Sequence, residues 1–496
     1  MKRILIGLMA IVVSLTAFTA TDTKGIATAQ TPTPGGFASD GVEYVGFVPF
    51  EQSTSTGLTI RGKFMYTTSW KNISTYDISD PTSPVLLDQL PVGFMFENED
   101  VAVSPDQSFL LFSQELPTSN LRVYDIEDKS NIQEIAVLPR SGDHTTSCIL
   151  QCQYAYGSDG SITDLRDPAN PKAIAQSGDP NDWHKKIGLQ GGAHDVTEVK
   201  PGFVLVSPLD GPPLYVDVRS PANPKVIARG NDVQPRSERG YLWHSGEWPR
   251  AGQDRWLLMQ GEDNVNPRCQ EKIGPFATYD TKGWQQTKTF KLADTFKVTN
   301  GTYTDGSPAA NGLGCSAHWF EEHPSSFKDG GLVVGAFYEH GTRFLKVAPD
   351  TGKISEVDFF LPAGGSSSAA YWVNEEIVYS ADYTRGIDIL RYTPIPGPRV
   401  RLGVNDRTPK NGETIRFRTS LRRCKGHAGT NIDFLRKFPS EDTFVKLGTK
   451  PLSGACSTTF AYKVEFTGKA TFRTVWEKQD EDHRRGNSRP LVVTAR

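Results

Sequence analysis

Histidine is scarce in this chain and unevenly placed. Nine occur in 496 residues. Four stand at one recurring place, where an apolar strand begins: Asp143-His144-Thr145, Ala193-His194-Asp195, Trp243-His244-Ser245 and Ala317-His318-Trp319. The same register contains Glu99-Asp100 and Ala370-Tyr371-Trp372. Imidazoles from separate strands, joined by a carboxylate, form a ligand set for a divalent transition metal such as Fe, Cu, Zn or Mn. His144, His194, His244, His318 and Glu99 are therefore candidate metal ligands, and Tyr371 completes the ring. Asp195, Glu247 and Glu321 are candidates for orienting imidazole N–H groups or lining the ligand site. The same pattern has a second reading, in which each histidine is a scaffold part that hydrogen-bonds a strand turn. Gly261-Glu262-Asp263-Asn264 has oxygen ligands for calcium, but reads more readily as a solvated turn. The sequence has no nucleophile elbow, P-loop or dinucleotide fingerprint, so catalytic residues are unknown.

A ring needs elements that place equivalent residues around one axis, and the sequence repeats accordingly. Tyr76-Asp77-Ile78-Ser79-Asp80-Pro81-Thr82-Ser83-Pro84 returns as Tyr124-Asp125-Ile126-Glu127-Asp128. It returns again as Asp164-Leu165-Arg166-Asp167-Pro168-Ala169-Asn170-Pro171 and as Asp217-Val218-Arg219-Ser220-Pro221-Ala222-Asn223-Pro224. Looser copies lie at 279–281, 344–347 and 387–390. Short β elements at intervals of roughly 40 to 65 residues indicate propeller blades. In the turns, Asp accepts backbone N–H groups and Pro sits where no ladder donor is needed. The last unit lacks a fourth strand, and 42–48 is an orphan strand that could supply it and close the ring. Gly 46 and Pro 33 are a modest excess of turn formers, spent largely in these turns.

The turns, with Asn98 to Asp106, Tyr338 to Leu345 and Tyr383 to Tyr392, resemble the LVIVD-repeat family of bacterial exported β-propellers. The resemblance covers about residues 42–392. It implies a seven-bladed propeller over 42–393 and no agreed activity. Beyond a Pro/Gly linker at 394–398, residues 399–496 alternate apolar and polar in short strands. This part resembles small immunoglobulin-like modules of secreted proteins and is expected to be an Ig-like β-sandwich. The fold class expected is all-β.

Lys2, Arg3, the apolar run 4–18 and Ala27-Thr28-Ala29 predict a signal peptide over 1–29 and a secreted, extracellular protein. A flexible segment, 30–41, follows. The run is too short for a transmembrane anchor. Six cysteines suit an oxidising compartment, and locality favours Cys148–Cys152, Cys269–Cys315 and Cys424–Cys456 among 15 possible pairings.

The formal charge of −3 hides a cancellation. Residues 396–496 carry 21 Lys/Arg against 10 Asp/Glu, while residues 30–395 carry an excess of 16 acidic groups. The acidic propeller has no use for nucleic acid. The basic tail could contact anionic cell-wall polymer, or its charges could simply be a solvated face. The expectation is a secreted binding or surface-interaction module for an extracellular ligand or protein, with a possible axial metal. The alternative is a metal-dependent oxidoreductase or hydrolase.

Overall fold

The computed structural model describes residues 36–49, 54–93, 99–115, 119–262, 274–298, 314–383, 385–394, 399–422, 427–441, 443–476 and 486–496. The expected signal segment, linker residues 395–398, Cys269 and Cys424 lie outside them. The described structure is all-β, with short helical turns only. No helix among the described residues is long and apolar enough to cross a membrane.

Up to residue 392 the chain runs as successive four-stranded antiparallel meanders. Thr54–Arg61, Phe64–Ser69, Asn72–Asp77 and Val85–Pro91 form one. The next two run from Ala102–Val103 to Gln133–Pro139 and from Thr146–Ile149 to Lys172–Ala175. Two more start with Ala193–Lys200 and Leu242–Glu247. Their outer strands, Lys225–Gly230 and Thr289–Phe296, pair in parallel through Arg229↔Thr289 and Gly230↔Phe290, giving one eight-stranded sheet. Phe320–Glu322 to Ile354–Pro362 follow, then Ser367–Trp372, Ile377–Asp382 and Gly386–Tyr392.

Each sheet buries its middle strands against the next. Tyr66 and Ile73 pack with Leu110, Phe112 and Tyr124. Ile149, Tyr156 and Ile162 pack with Val196, Val204 and Val216. Tyr379, Ile387 and Ile389 pack with Leu58, Met65 and Ile78, so the last sheet lies on the first. The orphan strand is where the sequence places it: Val42–Pro49 pairs antiparallel with Gly386–Tyr392, from Val42↔Tyr392 to Pro49↔Gly386. The architecture is a β-propeller.

Residues 36–38 fall in the segment expected to be flexible, yet Gly36–Ala38 pairs with Ile354–Pro362. An open strand edge offers unpaired backbone groups, and this segment satisfies them. Gly36 has φ +149, and a Cβ there would sit 1.9 Å from the Leu361 carbonyl oxygen, so only glycine fits.

The repeated Asp behaves as the turn chemistry requires. Asp77, Asp125, Asp164, Asp217 and Asp280 each accept the backbone N–H two residues on, at 2.7–3.1 Å. The Pro turns also dock neighbours. Tyr156 donates to the Pro221 carbonyl at 2.6 Å, across to the following sheet. Tyr379 of the last sheet donates to the Pro81 carbonyl of the first at 2.8 Å.

Residues 399–495 form two further antiparallel sheets. One orders Arg399–Val404, Thr414–Arg422 and Ser457–Lys463. The other orders Val445–Pro451, Asn431–Lys437, Gly468–Trp476 and Gly486–Asn487, with Leu491–Ala495 also on Gly468–Trp476. Ile415, Phe417, Phe434, Phe472 and Trp476 fill the core between them. Cys148–Cys152 is bridged, and Cys315 and Cys456 are also disulfide-bonded.

Tyr379→Phe removes the hydroxyl that ties the last sheet to the first. It is expected to lower the unfolding free energy by about 1 kcal/mol, read as a lower urea midpoint at unchanged slope. An unchanged midpoint would show that this tie contributes nothing to closure.

Candidate metal centre

The first strand of each meander is the innermost, and several carry a β-bulge at one place. Ala193 opposes Pro208 and Asp195 opposes Ser207, which leaves His194 as the extra residue. Trp243 and Ser245 oppose Gly261 and Gln260, which leaves His244. His318 donates its backbone N–H to Ala336, whose own N–H bonds Trp319, so two residues again face one. A bulge re-aims a side chain that would otherwise follow strict alternation. Here it turns imidazoles onto the axis.

Glu99 is the meeting point. Its Oε2 lies 3.1 Å from His244 Nε2, 3.5 Å from His144 Nε2 and 3.7 Å from His194 Nε2. Its Oε1 lies 3.3 Å from His318 Nε2 and accepts the Tyr383 hydroxyl at 3.2 Å. The five candidate ligands are therefore brought together. Side-chain exposure is 3% for Glu99, 0% for His244 and 1% for His318, against 23% for His144, so the centre meets solvent on the His144 side. The rings contact in series, with centroids 4.8 Å apart for His144–His194, 3.8 Å for His194–His244 and 4.0 Å for His244–His318.

Burial would raise the Glu99 pKa, but the His318 and His144 charges and the imidazole hydrogen bonds outweigh it and hold it well below the carboxylate range. Burial, followed by the neighbouring imidazoles, pushes His194 well down. His244 is lowered by burial and by His318. For His318, burial is outweighed by Glu99 and the value rises. One buried carboxylate thus favours a positive charge among four rings, a field that suits a cation.

The remaining predicted residues sit elsewhere. Tyr371 is out of register: Ser368 is the bulged residue of its strand and stands beside His318, accepting from His318 Nδ1 at 2.5 Å. The Ala-x-Trp likeness of 370–372 to 317–319 hid this offset of three residues. Tyr371 stands among carboxylates, its pKa pushed well up by burial, Glu321 and Asp100. Asp195, Glu247 and Glu321 were expected to orient imidazoles, but the described bonds lead elsewhere. Asp195 accepts Ser147 and Thr197, at 3.3 and 3.0 Å, and Glu321 accepts the Trp372 N–H at 2.5 Å. The groups on imidazole Nδ1 atoms are Glu115, at 2.9 Å from His144, and the Ser368 carbonyl.

Asp195 and Glu247 instead line a cavity of about 400 Å³ with Asp100, Ser147, Arg61 and the Cys148–Cys152 bridge. Ser147 has one hydroxyl proton for both Asp100 and Asp195. Burial, then Asp195, pushes Asp100 up to about 8, and burial pushes Asp195 up to about 6. Glu247 rises well above its ordinary value through burial, Glu322 and Glu321.

Sequence reasoning missed Glu115, Tyr338 and Tyr383 and set Glu262 aside as a solvated turn. Tyr338 is buried and donates to Glu262 Oε1 at 2.6 Å, and its ring lies 4.7 Å from His318. Both tyrosines lie within the segments 338–345 and 383–392 quoted for the family resemblance, the one signal that singled them out.

No family model matches this sequence, and no curated protein matches it. The LVIVD resemblance thus rests on the repeat residues themselves. Among solved structures, the WD40 repeats of RRP9 are similar at 10% identity and a TM-score of 0.48, over 72% of this chain and 98% of that one. A chain of the mitotic checkpoint complex is similar at 12% and 0.44, over 76% and 100%. A functionally unknown protein from Desulfotomaculum acetoxidans is similar at 13% and 0.40, over 64% and 90%. No activity passes from them to this chain.

Burial pushes Glu321 up to about 8, opposed by the Trp372 N–H and reinforced by Glu322. A carboxyl raised from 4.5 stays protonated longer in the folded state. Its contribution is complete below about pH 4.5 and is lost as pH rises to about 8. Glu321→Gln keeps a carbonyl oxygen for Trp372 and has no proton to lose. It is expected to match the parent at pH 4 and exceed it at pH 9 by on the order of 1–3 kcal/mol, measured by urea unfolding at both values.

Proposed function

We propose that this chain is a secreted, seven-bladed propeller of the LVIVD-repeat type, with an Ig-like domain over 399–496. In this reading it acts as a metal-binding interaction module. The centre is His144, His194, His244, His318 and Glu99, binding a divalent transition metal. One observation carries it: four imidazole Nε2 atoms from four successive repeats lie 3.1–3.7 Å from one buried carboxylate. A scaffold role supports one histidine per turn, each bonded within its own repeat. It does not account for four rings turned to a single shared acid.

The partner is an extracellular ligand or protein reached from the His144 face. The basic C-terminal part supports a tether to anionic wall polymer. A second reading, a metal-dependent oxidoreductase or hydrolase, is favoured by the solvent access at His144 and Glu115, with 23% and 28% of their side chains exposed. An ion there could keep a coordination position for water.

Protein stripped with a chelator and then exposed to Zn²⁺ is expected to retain it through gel filtration and to melt at a higher temperature. The His194→Ala, His244→Ala double variant should retain no Zn²⁺ and show no shift, with an unchanged circular dichroism spectrum. Wild type that retains none would end the metal reading.

A further inference from the structure

Glu262 and Glu99 do not belong to one ligand set. Two groups have ligand atoms all within 4.8 Å of one another: Glu99, His194 and His244, and His244, Glu262 and His318. They share His244 alone. One ion holds nitrogen and oxygen ligands at about 2.0–2.2 Å, so opposite ligand atoms are no more than about 4.4 Å apart. The 4.8 Å bound on each group is only slightly wider than that.

Three observations point to the second group as a site. His318 Nδ1 faces a carbonyl oxygen, which only accepts, so that nitrogen donates and Nε2 is the atom left for a ligand. That Nε2 is buried and faces Glu99 Oε1 at 3.3 Å, the carboxylate oxygen turned away from the first group. His244 turns Nε2 to Glu99, while its Nδ1 is also buried without a partner. Glu262 is held on Oε1 by Tyr338 at 2.6 Å, and Tyr338 keeps φ +41, a left-handed value unfavourable for a residue with a Cβ. Glu99 also divides its oxygens, Oε2 toward His144, His194 and His244 and Oε1 toward His318.

We infer that the centre holds two divalent cations, the second bound by His244, Glu262 and His318, with Tyr338 as the residue positioning Glu262. The inference rests on the metal reading proposed above. His244 serves the first ion through Nε2 and the second through Nδ1. To do so its ring releases its remaining N–H proton to solvent when the second ion binds.

Stripped full-length protein is loaded with excess Zn²⁺, freed of unbound metal and analysed for zinc per chain. Two per chain are expected for wild type and one for Glu262→Gln. In parallel, Cu²⁺ at two equivalents is expected to give wild type a spin-coupled electron paramagnetic resonance spectrum, and Glu262→Gln an isolated-ion spectrum. One zinc in both proteins with an isolated-ion Cu²⁺ signal overturns the second site and leaves the first. No zinc in wild type overturns both. Should Glu262→Gln fail to fold, the wild-type stoichiometry and Cu²⁺ spectrum decide alone.

Discussion

The propeller depends on closure between its first and last strands in sequence. The pairing of Val42–Pro49 with Gly386–Tyr392 joins segments more than 300 residues apart. Such a contact is entropically costly to form and comes late in chain order. Without it the meanders are an open stack, and their first strands share no axis. With it, the innermost strands face one another and equivalent positions become a ring. The Tyr379–Pro81 bond and the packing of Tyr379, Ile387 and Ile389 on Leu58, Met65 and Ile78 reinforce the same joint.

Closure then sets an electrostatic problem at the axis. A buried carboxylate is costly unless compensated. Glu99 is compensated by four imidazoles and the Tyr383 hydroxyl. Asp100 and Asp195, one residue along from Glu99 and His194, have no such company. They share Ser147 and shift toward the protonated form. The interior is thus banded: an imidazole-rich layer that stabilises an anion, and a carboxyl-rich layer that resists carrying charge.

Much of this was legible in the sequence because it follows strict local rules. The Asp-Pro turns, the orphan strand and the four histidines each obey a period that composition cannot disguise. The bulges were not legible, since nothing in Ala193-His194-Asp195 or Trp243-His244-Ser245 announces an extra residue. Tyr371 was misplaced for that reason. Glu115 was missed and Glu262 set aside because each lies at a strand end and meets its partner, His144 or Tyr338, in the following repeat. Their roles come from neighbouring sheets, not from a local motif.

The parallel join between Lys225–Gly230 and Thr289–Phe296 has a mechanical consequence. Elsewhere among the described residues, neighbouring meanders meet through side chains and scattered backbone bonds such as the Tyr338–Ser367 bridge. The two meanders that carry His194 and His244 are one continuous sheet, so opening either disturbs the backbone ladder of the other. The pair is therefore expected to open as one sector of the wheel. His194 and His244, whose rings lie 3.8 Å apart, belong to that sector, whereas His144 and His318 adjoin sheets on either side that lack this ladder.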